Sequence, residues 1–142
     1  MPYSPESCSA LIKQINDNMQ KNANNQLRST NLTLSQIRML QYLNTKEDKS
    51  DSFKNLERRF DVAQSTIVGI VHRLEQKGLV ETFGSSADKR IRMVRLTPAS
   101  AEKCEVGDRS MQMAETNLLR GLNKQEQEDF YRLLKKVRET ML

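Results

Sequence analysis

The residues of this sequence that could do chemistry are few. His72 is the only histidine, and Cys8 and Cys104 are the only cysteines. Their separation matches no Cys-x-x-Cys or Cys/His spacing suited to zinc. No Ser-His-Asp constellation and no glycine-rich phosphate loop offers a nucleophile or a nucleotide site. We therefore expect no metal, no cofactor and no enzymatic activity.

Cationic side chains are the second chemical feature, and they are concentrated in one region. The 142-residue chain has a net charge of +5, and residues 53–95 contain nine Lys and Arg against five Asp and Glu. A local positive surplus is what a polyanion binder needs. A single-stranded RNA-binding module would also need aromatic stacking platforms, but aromatic residues make up only 5% of the chain. Double-stranded DNA is the favoured partner.

A helix with one polar face is predicted within this basic region, from about Gln64 to Lys77. Its apolar residues recur at i, i+3, i+4 and i+7, which predicts a buried face: Ile67, Ile70, Val71 and Leu74. The opposite face carries small or polar side chains: Ser65, Gly69, His72 and Gln76. Gly78 is expected to end the helix in the left-handed conformation.

Two strands with a long, charged connection follow this helix. They are predicted over 79–83 and 91–96, and the connection from Gly84 to Arg90 contains Asp88 and Lys89. Seven residues exceed the 2 to 5 of an ordinary hairpin loop. The loop is therefore expected to project and to make contacts.

The flanking segments predict further helices, giving the order α-α-α-α-β-β-α-α. Capping residues mark several starts: Thr33 with Gln36 as a capping box, Ser52, Thr97 before Pro98, and Asn123 with Glu126. The first helix is predicted from Glu6 to about Leu27, and polar residues 46–51 form a surface connection. Gly107 is expected to weaken the fifth helix by about 1 kcal/mol.

The order and spacing of several short motifs resemble the MarR (multiple antibiotic resistance regulator) family of bacterial transcription factors. The motifs are R-L-E-x-K-G-L-V at 73–80, D-x-R at 88–90 and L-T-P at 96–98. The resemblance implies a mainly α (α+β) fold, a winged helix-turn-helix with flanking dimerisation helices. It divides the chain into an N-terminal dimerisation helix (1–30), a DNA-binding domain (31–96) and C-terminal dimerisation helices (97–142).

The candidate DNA-binding residues follow from the pattern of the helix and the long loop together with the same resemblance. Those on the recognition helix are Gln64, Ser65, Thr66, Gly69, His72 and Arg73. Those on the wing are Asp88, Lys89, Arg90 and Arg92. The resemblance implies that Arg90 enters a minor groove while Asp88 orients it, and that Gly69 replaces a larger polar residue. Arg73 is expected to contact phosphate or to bridge to Asp88.

The resemblance further implies a homodimeric repressor on a pseudo-palindromic operator, released by a small aromatic or anionic effector. A core limited by 37% hydrophobic residues also suits a chain completed by a second copy. The alternative is a thiol-based redox sensor using Cys8 or Cys104, although neither cysteine lies in an evidently electropositive setting. No apolar run is long enough to span a membrane and no signal peptide is evident, so we expect a cytoplasmic location.

Overall fold

Six α-helices and a three-stranded sheet make up the computed structural model, which describes residues 4–142. The helices are α1 (Cys8–Gln26), α2 (Leu34–Asn44), α3 (Phe53–Phe60), α4 (Gln64–Gln76), α5 (Ala101–Leu119) and α6 (Lys124–Met141). The strands are β1 (Ser50–Ser52), β2 (Val80–Gly84) and β3 (Arg92–Leu96), and short 3-10 turns cover Arg28–Thr30 and Pro98–Ser100. The predicted mainly α winged helix-turn-helix is confirmed.

Most of the predicted helix starts are confirmed as side-chain caps. Thr33 Oγ1 accepts a hydrogen bond from the backbone N–H of Gln36 at 3.3 Å, and Gln36 Oε1 accepts from the N–H of Thr33 at 3.1 Å. Ser52 and Asn123 also cap their helices. Thr97 does occupy the N-cap position and Pro98 the first position of a 3-10 turn that leads into α5, but Thr97 forms no side-chain cap, because its hydroxyl donates to the carbonyl of Gly78 at 2.6 Å.

Strand β1 is not predicted by the sequence pattern, because Ser50, Asp51 and Ser52 have low strand propensity. β1 pairs antiparallel with β3, which pairs antiparallel with β2, so the spatial order is β1-β3-β2. Ser50 and Asp51 are buried. The segment predicted as a surface connection therefore ends in the sheet and fixes the start of α3.

The core lies between α2, α3, α4 and the sheet. Its fully buried large side chains are Leu27, Ile37, Met39, Leu40, Leu43, Leu56, Ile67, Val71, Leu74 and Val94. Ile70, predicted to be buried, is only partly covered. This packing anchors one face of α4 and leaves the other in solvent.

The terminal helices carry apolar side chains that this chain does not cover. On α1, Leu11, Ile12 and Ile15 are exposed. On α6, the predicted stripe is half-buried at Phe130, but Leu133, Leu134 and Val137 are exposed. Among residues 4–142, no helix combines the length and apolar character needed to cross a bilayer.

Gly107 allows a close crossing of α5 and α2. A Cβ atom built on Gly107 would lie 2.6 Å from Ile37 Cγ2 and 3.0 Å from Gln41 Nε2. Real carbon atoms do not approach this closely without a shift of the neighbour. The residue expected to weaken α5 is thus the one that permits the contact.

Candidate nucleic-acid interface

Helix α4 presents the predicted residues to solvent. Gln64, Ser65, Thr66, His72 and Arg73 are exposed, and Gly69 is half-buried. Ile67, Val71 and Leu74 pack the opposite face of α4 into the core, so the predicted residues remain on the solvent side. A rigid helix with a small, polar outer face has the shape required to enter a groove.

The N-terminus of α4 lacks the side-chain cap that begins most other helices. Ala63 occupies the N-cap position and forms no side-chain hydrogen bond, whereas Ser7, Thr33, Ser52 and Asn123 cap α1, α2, α3 and α6. The N–H of Thr66 donates to the carbonyl of Ala63 at 3.1 Å, so the amides of Gln64 and Ser65 are the ones in the first turn of α4 that are open to an outside acceptor. Such amides, together with the helix dipole, favour an anion.

The loop at 85–91 is closed by its own hydrogen bonds. Together with β2 and β3 it forms the wing. The N–H of Ser85 donates to the carbonyl of Ile91 at 2.9 Å, and the N–H of Ile91 donates to that of Asp88 at 2.9 Å. At the base of the loop, a Cβ atom on Gly84 would lie 2.8 Å from the carbonyl oxygen of Lys89. Glycine at this position permits the tight closure.

Asp88 holds Arg90 in one orientation at the tip of the wing. Oδ1 accepts from Arg90 Nε at 3.1 Å and from the Arg90 backbone N–H at 3.0 Å, and Oδ2 accepts from Nη2 at 3.1 Å. These bonds, from the side chain first and then the backbone, hold the pKa of Asp88 below its ordinary value. The Arg90 side chain is 91% exposed. The predicted Asp88–Arg90 pairing is confirmed, and the guanidinium is oriented but still accessible.

The Arg92 side chain is hydrogen-bonded to Thr82 of β2, which is itself hydrogen-bonded to Glu75 of α4. Glu75 Oε2 accepts from Thr82 Oγ1 at 2.9 Å and from the Thr82 N–H at 3.1 Å. Arg92 Nη2 in turn donates to Thr82 Oγ1 at 3.0 Å. The sequence does not predict these hydrogen bonds between α4 and the wing, because Glu75, Thr82 and Arg92 come together only in the folded chain.

Arg73 does not bridge to Asp88. Within the described chain its side chain forms no hydrogen bond and no ion pair, and Asp88 pairs with Arg90 instead, so that alternative is wrong. Its Nη1 lies over Gly69, 3.7 Å from where a Cβ atom would stand. The small residue at 69 thus leaves room for the Arg73 side chain one turn later. Lys89 is exposed at the wing tip.

A cavity of about 150 Å³ lies between α1, α2 and α5. Its walls include apolar side chains from all three helices: Met19, Ala23, Leu34, Ile37, Met111 and Ala114. Arg38 stands at its edge and also borders a larger polar groove on the outside of α2. Among residues 4–142, the Arg38 side chain has no hydrogen-bond or ion-pair partner.

The two cysteines are both free thiols, in different settings. Cys8 is exposed at the first position of α1, whereas Cys104 is 3% exposed on α5. Burial, together with the charge of Asp108, raises the pKa of the Cys104 thiol, and Lys49 only partly opposes this. A raised pKa reduces the thiolate fraction and with it the reactivity. No group of three potential metal ligands occurs in the described part of the chain.

Comparison with known proteins agrees with this geometry. Residues 30–91 match the model of the MarR family. They include α2, α3, α4, β2 and the loop of the wing. No curated protein matches the chain significantly.

Solved structures match almost the whole chain. A MarR variant from E. coli, complexed with operator DNA, is 26% identical, with a TM-score of 0.80 and 91% of each chain covered. S. aureus MepR in a DNA complex is 21% identical, with a TM-score of 0.86 over 94% of this chain and 98% of that one. Bordetella bronchiseptica BpsR, whose DNA binding is regulated by 6-hydroxynicotinic acid, is 22% identical, with a TM-score of 0.82 over 97% and 98%.

Proposed function

We propose that this chain, whose residues 30–91 match the model of the MarR family, is a homodimeric transcriptional repressor that binds a pseudo-palindromic DNA operator. In this proposal α4 enters the major groove and the wing reaches the adjacent minor groove. The residues proposed to contact DNA or orient a contact are Gln64, Ser65, Thr66, Gly69, His72, Arg73, Asp88, Lys89, Arg90 and Arg92. Since a DNA-binding regulator acts where the DNA is, we propose a cytoplasmic location.

The observation that carries the proposal is the oriented guanidinium of Arg90. An exposed cation restrained by Asp88 at the end of a closed loop can enter a narrow groove, where the negative potential is strongest. The amides of Gln64 and Ser65, which no side chain caps, offer a second group of anion donors. Both features suit a phosphate backbone and a groove beside it.

The dimer is supported by the apolar side chains left exposed on the terminal helices. A two-fold interface would cover Leu11 and Ile15 on α1, as well as Leu134 and Val137 on α6. Residues 1–30 and 97–142 then form the dimerisation region, and residues 31–96 form the DNA-binding domain.

The effector is proposed to occupy the cavity between α1, α2 and α5. Its apolar side chains suit a small aromatic ring. The lining also holds one acid, Glu115, and one base, Arg38, and the Arg38 guanidinium, which has no partner among residues 4–142, suits a carboxylate. A ligand there contacts both the dimerisation helices and α2 of the DNA-binding domain. It releases DNA if it binds more tightly to a dimer in which the two α4 helices are wrongly spaced.

Replacement of Arg90 by alanine tests the DNA-binding mode. We expect R90A to weaken operator binding and to reduce the slope of log K against log salt by about 1 for each phosphate that the variant no longer neutralises. Fluorescence anisotropy over a salt series measures both quantities. R95A is the matched control, because Arg95 already pairs with Glu81 at 2.6 Å and stacks 4.5 Å from the Phe83 ring centroid.

Unchanged operator affinity in R90A would contradict the role given to the wing. Release of the operator by small aromatic carboxylates, and the absence of that response in R38A, would support the effector site. If no such compound releases the operator but peroxide does, the thiol-based redox alternative replaces the effector proposal.

A further inference from the structure

Val68 is an exposed apolar residue on the otherwise small and polar outer surface of α4. Its side chain is 46% exposed. The other exposed large apolar residues of the described chain lie mostly on α1, α5 and α6, and only Val62 and Ile91 share the winged helix with it. The proposed dimer covers the terminal helices but leaves Val68 in solvent. Packing within the folded chain therefore does not explain why an apolar valine occupies this position.

The helix geometry shows which flank of α4 Val68 occupies. Val68, His72 and Glu75 follow at i, i+4 and i+7, so they form one stripe. Glu75 binds Thr82 of β2, which identifies that stripe as the flank next to the wing. Val68 and His72 are the exposed members of the stripe nearer the N-terminus of α4. Val68 thus borders the outer surface of α4, between its small residues and the wing.

An apolar side chain in the major groove has one chemically matched partner. Among the four bases, only thymine presents a methyl group, at C5, in that groove. Ser65 and Gly69 are small, so they allow α4 to approach the base edges closely. A β-branched side chain also has few rotamers in a helix, which fixes its methyl groups before binding.

We propose that Val68 is a specificity-determining residue that reads the C5 methyl of a thymine in each half-site. The inference rests on the proposed function. Burial of one methyl group contributes enough for about a fourfold change in affinity at one half-site and about 15-fold at both.

The test uses an operator selected from random duplex DNA by the wild-type protein. Each symmetry-related pair of thymines, one in each half-site, is replaced in turn by deoxyuridine, which lacks only the C5 methyl. For wild type we expect one symmetric pair of thymines whose replacement weakens binding about 15-fold. V68A should bind the thymine operator more weakly and should lose sensitivity at that pair alone. V62A removes the same atoms from an exposed valine outside α4 and should retain the sensitivity.

The outcomes separate this inference from the proposed function. If wild type selects an operator but V68A and wild type respond equally to every deoxyuridine replacement, the reading by Val68 is wrong and the DNA-binding function stands. If wild type enriches no sequence at all, both are wrong. Thermal unfolding of V68A checks that the variant is folded, and we expect little change because the position is exposed and alanine favours helix.

Discussion

Asp51 is a buried carboxylate at the junction of α2, β1 and α3. It accepts hydrogen bonds from Tyr42 Oη at 2.7 Å, Asn55 Nδ2 at 2.7 Å and the Ser52 N–H at 2.8 Å. Burial acts to raise the pKa of Asp51. The bonds from Asn55, Tyr42 and Ser52 and the charge of Lys46, whose Nζ lies 3.8 Å from Oδ2, outweigh it, so the pKa lies below its ordinary value. The ionised form therefore stabilises the start of α3, the helix that supports α4.

The stability of the chain should depend on pH through Asp51. A carboxyl whose pKa is lowered by folding stabilises the protein above the unfolded value of about 3.9, and this contribution disappears as the pH falls through the folded value. We expect D51N to reduce the free energy of unfolding at pH 7 by about 2 kcal/mol, because one neutral amide replaces a charged acceptor of three bonds.

Urea unfolding of D51N and wild type at pH 7 and in steps below pH 4 measures this effect. The difference between the two proteins should shrink as the pH falls. D17N is the control, since Asp17 is exposed and pairs with Lys13 on the surface of α1. A constant difference at all pH values would contradict the role of the charge.

At the scale of single residues, the sequence predicts contacts well where the partners are close in the chain. The Asp88–Arg90 pair spans two residues and is predicted correctly. The failures concern side chains whose partners are distant: the bridge predicted from Arg73 to Asp88 does not form, and nothing in the sequence indicates the contact from Arg92 to Thr82. The exposure of Val68 likewise depends on how the neighbouring elements pack around α4, which the sequence pattern does not show.

At the scale of elements, the uncapped N-terminus of α4 predicts a conflict between stability and binding. In A63D the aspartate should cap α4 and raise the free energy of unfolding by about 1 kcal/mol. The same carboxylate should weaken operator binding, because it occupies amides offered to phosphate and repels that anion. Thermal unfolding and anisotropy measure the two effects.

A63S provides the matched control for this prediction. Serine supplies a cap without a charge, so it should stabilise the fold with a smaller reduction of affinity than A63D. Equal or tighter operator binding by A63D would show that phosphate does not approach this end of α4.

The crossing of α2 and α5 predicts that alanine at position 107 is unfavourable despite its higher helix propensity. The added Cβ atom would overlap Ile37 Cγ2, so we expect G107A to lower the free energy of unfolding by about 1–3 kcal/mol. G121A is the control, because a Cβ atom there meets nothing within 4 Å. Urea unfolding compares them, and stabilisation by G107A would show that the crossing relaxes freely.

The elements themselves can be predicted in proportion to how local their causes are. Capping boxes at Thr33 and Asn123 involve residues three apart, and both are predicted correctly. Strand β1 escapes prediction because it exists only through its pairing with β3, far along the chain. The role of Gly107 escapes prediction for the same reason, since its cause lies on another helix.

At the scale of the whole molecule, the exposed stripe on α6 predicts a dimer that a single charge can disrupt. Val137 is 54% exposed, so V137E should leave the fold of one chain intact. In a two-fold dimer it should raise the dissociation constant about 100-fold or more, because each copy loses a buried valine. Operator affinity should fall with it.

Light scattering at micromolar concentration, together with anisotropy on operator DNA, tests this prediction. Q125E adds the same charge at the first turn of α6, away from the stripe, and should remain dimeric. A wild-type protein that is monomeric under these conditions would contradict the proposed assembly.

The closed loop of the wing has a consequence for the rate of DNA binding. A disordered wing would have to fold in the groove, and the entropy of that ordering would be part of every association event. Here the Ser85–Ile91 bond and the tight approach at Gly84 hold the loop in shape before any contact. For the proposed complex we therefore expect association to be limited by diffusion and electrostatic steering, with a rate constant that rises as salt is lowered. A bulkier residue at 84 would open the loop and slow the search for the operator.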